Sequence, residues 1–354
     1  MDRPLKIAAI SYPILFQTIG GLQIQVWETV DAVRRAGHDM RLIDPSRERF
    51  TDFDVVHVFS VVHGNHKIVR QAKDWSIPVV MSALLRPNWT RALGRRAALA
   101  DSIVGRLTNW EVSTNFRQMH SGLHLADRCV ALGAVERRSM IEAFGLAASR
   151  IEVVPNGIPA RFFQATPDAA LAHFGLDRGF VLCVGSIEPH KNQLGLARAL
   201  RGSGRSLVLL GQCMTAHQPY LAEVLAVPGT THLGSLSYGD PLLPSLYAAA
   251  DALCLISQSE VMPLVILEAL AAGTPAVMTR NHCMDVAGMT SCLRQVNPND
   301  SSAVRMAIEG MLESPPTPES CRASVAHLTW DAVAKQLVSI YQGVVATQMA
   351  THRA

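Results

Sequence analysis

The chain has 354 residues, 49% hydrophobic and 17% charged, which suits two globular domains of roughly 150 residues each and excludes a disordered or fibrous polypeptide. Its net charge of +3 is unevenly spread, with 20 Lys and Arg against 15 Asp and Glu in residues 1–155 and 12 against 14 in residues 156–354. A mildly basic first half suits an anionic ligand, and no nucleic-acid partner is expected.

The seven cysteines form no CxxC pair and several lie in apolar runs, so they read as small buried side chains of a reducing compartment. The start, "MDRPLKIAAISYP", is too short in its apolar run for a signal peptide. No stretch reaches the roughly 18 apolar residues of a bilayer span. A cytoplasmic protein is expected, at most peripheral at the inner membrane face.

Short apolar runs alternate with helical patterns. Strands are expected at "KIAAIS", "MRLID", "DVVHVFS", "IPVVMSALL", "RCVAL" and "IEVVPNG". A Gly-Gly loop after the first opens a helix over about Gln23–Ala36, with Gly37 as its stop. Another helix falls at "AVERRSMIEAFG". Pro155, Asn156, Gly157 and Pro159 mark a hinge, after which the rhythm restarts. Strands then follow at "FVLCVGS", "SLVLLG", "THLGSL", "DALCLIS" and "TPAVMT". A proline-rich break, "ESPPTPES", precedes a final amphipathic helix around Trp330–Val345. Strand–helix alternation of this kind predicts α/β domains with parallel sheets covered on both faces.

Three loops carry candidate chemistry. In "TIGGLQIQV", Gly20 and Gly21 permit close backbone approach to a ligand at a helix start, though a plain strand–helix turn reads equally well. The dinucleotide fingerprint GxGxxG is absent. In "CVGSIEPHKNQLG", Lys191 stands at the carboxyl end of a parallel strand, where it can neutralise a phosphate; a solvated loop lysine is the plainer alternative, and Ser186, Glu188 and His190 are more ambiguous still. In "SEVMPLVILEALAAGTPAV", Pro263 suits the first turn of a helix, so the amides of Leu264 and Val265 would face the same edge as Lys191. Phosphates would repel Glu260 and Glu268, so both carboxylates are better suited to sugar and ribose hydroxyls. Glu268 lies in a wholly apolar helix, where an unpartnered carboxylate would cost several kcal/mol, so it must have a partner.

Together these stretches resemble the retaining glycosyltransferases of family 4 (group 1). The likeness rests on "GGLQIQVWETVDAVRRAGHDMRLID", "RIEVVPNGI", "VGSIEPHKN", "SEVMPLVILEALAAGTPAV" and "LTWDAVAKQLVSIYQ", in that order over nearly the whole chain. It implies the GT-B fold, two facing doubly wound, Rossmann-like parallel-sheet domains with a cleft between them. Residues 1–158 would form the acceptor-side domain, 159–329 the nucleotide-sugar domain, and 330–354 a helix returning to brace the first. It also implies transfer of a hexose-type sugar from a nucleotide diphosphate sugar to a glycan, lipid-linked or small-molecule acceptor, with retained configuration and neither cofactor nor metal. Glu260 would contact the donor sugar with Met262 nearby, Glu268 the ribose, and Lys191, Gly20 and Gly21 the diphosphate. Leu236 would lie near the base.

Three positions depart from the family pattern. Ser186 and His190 stand where arginines are frequent, which weakens leaving-group stabilisation, since a neutral imidazole has one donor and arginine five. Val261 and Met262 replace Gly-Phe after the first glutamate. Leu84, Leu85 and Arg86 follow the strand where many members carry a histidine, and His63 is a poor substitute. The arginine-rich stretch 86–107, with Trp89, suits either a solvated helix over the acceptor side or contact with a membrane or a phosphate-bearing acceptor. Alternatives on this fold are a degenerate transferase that only binds nucleotide sugar or a partner enzyme, a nucleotide-sugar epimerase, and a phosphorylase, which would normally need a much longer chain.

Overall fold

The computed structural model describes residues 3–17 and 20–353; Thr18 and Ile19 of the Gly-Gly loop, and Ala354 at the end of the bracing segment, lie outside them. The chain divides into two compact units. Unit 1 comprises 1–157, 283–285 and 330–354; unit 2 comprises 158–282 and 286–329.

Unit 1 holds strands β1 (Lys6–Ile10), β2 (Asp39–Leu42), β3 (Val55–Phe59), β4 (Val79–Ser82), β5 (Arg128–Ala131) and β6 (Ile151–Val153). They form one sheet in the order β2-β1-β3-β4-β5-β6, every neighbouring pair parallel. All five residues of β3 are buried, as continuous apolar runs in a sheet covered on both faces should be. Helices α1 (Gly21–Arg35), α2 (Asn65–Asp74), α3 (Arg91–Leu107), α4 (Asn115–Leu125) and α5 (Ala134–Phe144) connect the strands. Gly37 takes φ +89° just past α1, the left-handed turn that only glycine adopts without cost.

The closing helix, Trp330–Arg353, runs beyond the expected Val345 and packs along α1. Asp331 pairs with Arg35 at 3.0 Å. Buried His57 on β3 sits 2.7 Å from the Tyr341 hydroxyl and 2.9 Å from Ser82 Oγ, so both ring nitrogens are used. Burial pushes its pKa down to about 3. The chain leaves unit 1 at Gly157, where an added Cβ would meet the Trp330 backbone nitrogen at 2.4 Å, so exit and return lie side by side.

Unit 2 opens with the short helices α6 (Ala160–Phe163) and α7 (Asp168–Phe174). Then follow β7 (Phe180–Val184), α8 (Gln193–Leu200), β8 (Ser206–Leu210), α9 (Gln218–Leu225), β9 (Thr230–His232), α10 (Leu242–Ala249), β10 (Ala252–Leu255), α11 (Leu264–Ala272), β11 (Ala276–Thr279), β12 (Leu293–Val296), α12 (Ser301–Glu313) and α13 (Pro318–Val325). Its sheet has the order β12-β11-β10-β7-β8-β9, again parallel throughout. Read from β9, this is the 3-2-1-4-5-6 order of doubly wound dinucleotide folds, with its topological switch between β7 and β10.

The two parallel α/β sheets follow from the alternation in the sequence. Three details differ. β12 was not expected, because "LRQV" has two exposed polar residues inside the strand. The strand expected over "THLGSL" stops at His232, because Gly234 turns the chain at φ +81°. The proline-rich break is half helix, since Thr317 caps α13 through its hydroxyl and Pro318 occupies the helix start, where no amide hydrogen is needed.

Candidate functional site

The carboxyl ends of β7 and β10 are adjacent and lie at the switch of unit 2, the edge where doubly wound sheets take ligands. The chain leaves β7 through Gly185, whose φ of +153° is a glycine conformation. Gly211, after β8, sits so close that a Cβ there would lie 1.9 Å from the Gly185 carbonyl oxygen, so the two turns interlock. A short 3-10 turn, Pro189–Lys191, then leads into α8, with Asn192 at φ 57° between them.

Lys191 and Glu260 meet here: Nζ lies 2.7 Å from Oε1, with side chains 21% and 13% exposed. The reading from sequence gave these residues separate ligands; in the structure they pair with each other. The loops bearing them are laced together. The Gln258 amide donates to the His190 carbonyl at 2.9 Å, and His190 Nε2 lies 3.0 Å from the Ser259 carbonyl oxygen, so this nitrogen carries the hydrogen. His190 therefore spends a donor on the neighbouring loop. Ser186 is likewise engaged, donating to Glu188 Oε1 at 2.8 Å. The Glu260 amide donates to the Asn281 carbonyl at 2.8 Å, which fixes the glutamate's backbone from the loop after β11.

Between Glu260 and α11 the chain passes Val261 and the buried Met262. Val261 keeps a negative φ, so a β-branched residue stands in the glycine position of the family pattern without backbone strain. Pro263 is the N-cap of α11, leaving Leu264 and Val265 in the first turn, whose amides have no acceptor within the helix.

Glu268 lies one turn further on, 3% exposed. Its required partner is Tyr247 of α10, whose hydroxyl donates to Oε2 at 2.9 Å. Burial, then the Glu268 charge, raise the phenol's pKa well above its ordinary value, so it remains a donor. Thr274 holds the Tyr247 carbonyl at 2.7 Å. Leu236 sits half-buried in the loop after β9. Thus Lys191, His190, Ser186 and Glu260 come together at one strand edge, Glu268 enters from α11, and Leu236 stays on a separate loop.

Sequence reasoning missed Tyr247, Asn281 and Gln193. Gln193 is fully buried at the start of α8 and donates to the Ser186 carbonyl at 2.8 Å, while its Oε1 has no hydrogen-bond partner. A glutamine directly after "PHKN" was the available signal.

The remaining candidates belong to unit 1. Gly20 is the N-cap of α1 with φ −167°, extended backbone open to any residue, and a Cβ on Gly20 or Gly21 would meet nothing within 4 Å. The unit itself therefore does not require glycine at either position. Arg86 is exposed in the loop after β4. That loop is held by Glu136, fully buried on α5, which accepts from the Leu85 and Leu132 amides, each at 2.7 Å. Burial pushes Glu136 up to about 7 against the pull of these bonds. His63 is exposed, at φ 59°, with its ring 4.3 Å from that of Tyr12. Trp89 turns inward, 4.9 Å from Phe144 between ring centroids, so it contributes to the core rather than to a surface.

Two family models match the chain: Glycosyltransferase Family 4 over residues 19–162 and Glycosyl transferases group 1 over residues 172–326. A D-inositol 3-phosphate glycosyltransferase of Acidothermus cellulolyticus is 27% identical, over 83% of this chain and 68% of that protein. The Nocardia farcinica protein of the same name is 31% identical, over 68% of this chain and 53% of that one. The chain thus spans between about half and two thirds of these relatives. Among solved structures, Anabaena Alr3699/HepE in complex with UDP superposes with a TM-score of 0.69 at 14% identity, covering 96% of this chain and 100% of that one. The likeness extends to the GT-B architecture of that structure.

Proposed function

Because the chain belongs to the family 4 (group 1) glycosyltransferases, we propose that it moves a hexose-type sugar from a nucleotide diphosphate sugar to a hydroxyl of a glycan, lipid-linked or small-molecule acceptor, with retained configuration. The observation that carries this reading is the Lys191–Glu260 pair at the topological switch, beside the starts of α8 and α11.

On donor binding, the pair exchanges partners. Lys191 turns to the diphosphate, and Glu260, released, accepts hydrogen bonds from the sugar hydroxyls. The first-turn amides of α11 add the positive end of the helix to the same anion. The bond from the anomeric carbon to the diphosphate oxygen breaks, and the acceptor oxygen adds to the same face of the sugar. The acceptor proton passes to the departing phosphate oxygen. Catalysis then rests on positioning and on stabilising leaving-group charge rather than on a paired acid and base. Glu268, with its orientation set by Tyr247, addresses the ribose, and Leu236 the base through its backbone. Gly20 and Gly21 leave room for the diphosphate, and no cofactor or metal takes part.

Nucleotide-sugar hydrolysis without acceptor tests the reading. Slow hydrolysis that falls about a hundredfold or more in Lys191→Ala and Glu260→Ala is expected. Tight nucleotide-sugar binding with no turnover on any acceptor would instead identify a binding protein, a reading that the engagement of Ser186 and His190 within the loops favours. Interconversion of free nucleotide sugars would identify an epimerase.

A further inference from the structure

Helix α3 carries a surface that unit 1 does not use. Gly94, Asp101 and Gly105 face inward and are buried. At 100° per residue, Leu99 and Ile103 point the opposite way, with Leu107 beside them. Their exposures are 65%, 52% and 81%, far above what a solvated helix needs. Arg95, Arg96 and Arg106 share this face and are exposed; none has an acidic partner among the described residues. The helix's one acid, Asp101, is turned inward onto Thr114 and Arg117 at 2.6 and 3.1 Å, so the helix itself brings no acid to the cations outside.

The end of the helix folds back over its inward side. Asn109 and Trp110 take consecutive left-handed conformations, φ 49° and 65°, which non-glycine residues adopt only under strain. This strained turn seats the Trp110 ring over Gly105, where a Cβ would lie 2.0 Å from the ring. Trp110 remains 48% exposed all the same, and Val112 51%. There Trp110 lines a cavity of about 460 Å³ with His66, Lys67, Arg70, Asp74 and Arg117, the last stacked 3.9 Å over the indole and paired with Asp101, so this cavity is separate from the outward face.

An apolar row with flanking arginines is the make-up of a helix that lies in a bilayer interface. No described helix is long and apolar enough to cross a membrane, so any contact through α3 is peripheral. A second copy of the chain would bring the same uncompensated arginines together in a two-fold pairing. We propose that this face docks on an anionic phospholipid bilayer. Leu99, Ile103 and Leu107 enter the headgroup boundary, and the arginines pair with lipid phosphates. The docking needs no transfer chemistry and is read without nucleotide.

The test is flotation of the full chain with phosphatidylcholine vesicles, with and without about 30 mol% phosphatidylglycerol. Binding to the anionic vesicles alone is expected, weakening as salt screens it. At about 1 kcal/mol per charge, Arg95→Gln, Arg96→Gln and Arg106→Gln together should reduce partitioning roughly a hundredfold. Leu99→Gln, Ile103→Gln and Leu107→Gln together should reduce it at least about tenfold. Both sets lie on the solvent face, so the melting temperature serves as the control for folding. No binding of the wild-type chain to anionic vesicles, or wild-type binding by both variant sets, would overturn the proposal. Full competition by soluble glycerol phosphate would reassign the surface to a free phosphate. Self-association of the wild-type chain that the leucine set abolishes, without vesicle binding, would reassign it to a second copy.

Discussion

Replacing Lys191 by Met, Glu260 by Gln, and both together closes a double-mutant cycle on the ion pair at the site. With Nζ and Oε1 2.7 Å apart, the gross attraction at an effective dielectric of about 20 is roughly 6 kcal/mol. Most of it is offset by desolvation of two groups that are only 21% and 13% exposed. A coupling of about 1–2 kcal/mol in urea unfolding is therefore expected, within the usual range for touching residues. The two single variants should part ways in ligand binding. Lys191→Met removes a charge-assisted contact to phosphate, worth about 1.5–3 kcal/mol, and should weaken nucleoside diphosphate binding by roughly 10- to 150-fold. Glu260→Gln frees Lys191 from its internal partner, so the same nucleotide should bind as before or up to about tenfold tighter, while turnover collapses. Titration calorimetry with UDP and GDP measures this. If Lys191→Met binds the preferred nucleotide unchanged, or Glu260→Gln loses it equally, the exchange of partners is wrong.

Three further outcomes follow from particular contacts. Gly21→Ala should leave the melting temperature unchanged or raise it, since alanine favours the helix by up to about 1 kcal/mol and meets nothing, yet it should weaken donor binding; equal affinity in the two proteins would remove the diphosphate role. Tyr247→Phe withdraws the hydroxyl from buried Glu268 and should cost about 1.5–3 kcal/mol in urea unfolding, together with weaker nucleotide binding; a loss below about 0.5 kcal/mol would show that the bond does not matter. The folded-state pKa of His57 is lowered to about 3 from 6.5, so its stabilisation is full above pH 6.5 and is lost as pH falls towards 3. Between pH 6.5 and about 3, stability should then drop by about 1.4 kcal/mol per pH unit, and His57→Phe, although less stable overall, should lack this contribution; an unchanged slope would refute it.

Elements whose own residues set their period were legible before the fold was seen. Continuous apolar runs such as "VVHVF" and "ALCL" read as buried strands because both faces of their sheets are covered. Helix ends marked by Gly37 and Pro263 were legible for the same local reason. β12 was not, since two of its four side chains face solvent and only pairing with β11 makes it a strand. At the candidate site, the residue types and their spacing could be read, and so could the need for a partner to Glu268. That Tyr247 supplies it, 21 residues earlier on another helix, depends on packing that no local pattern encodes. His190 shows the same limit, because its bond to Ser259 exists only once two loops 69 residues apart lie side by side.

The route of the chain through unit 1 sets the order in which the molecule can be completed during synthesis. Residues 158–282 and 286–329 of unit 2 are all translated before the closing helix. Unit 1, whose first strand is Lys6–Ile10, waits for Trp330–Arg353 before Tyr341 can reach His57 and before α1 is covered. At about 5–20 residues per second, synthesis from the end of α1 at Arg35 to the end of the closing helix at Arg353 lasts roughly 15–65 seconds, during which the buried face of α1 is open to solvent and to chaperones. A ribosome stalled before residue 330 would therefore display an unfinished first unit beside a second whose residues are all present.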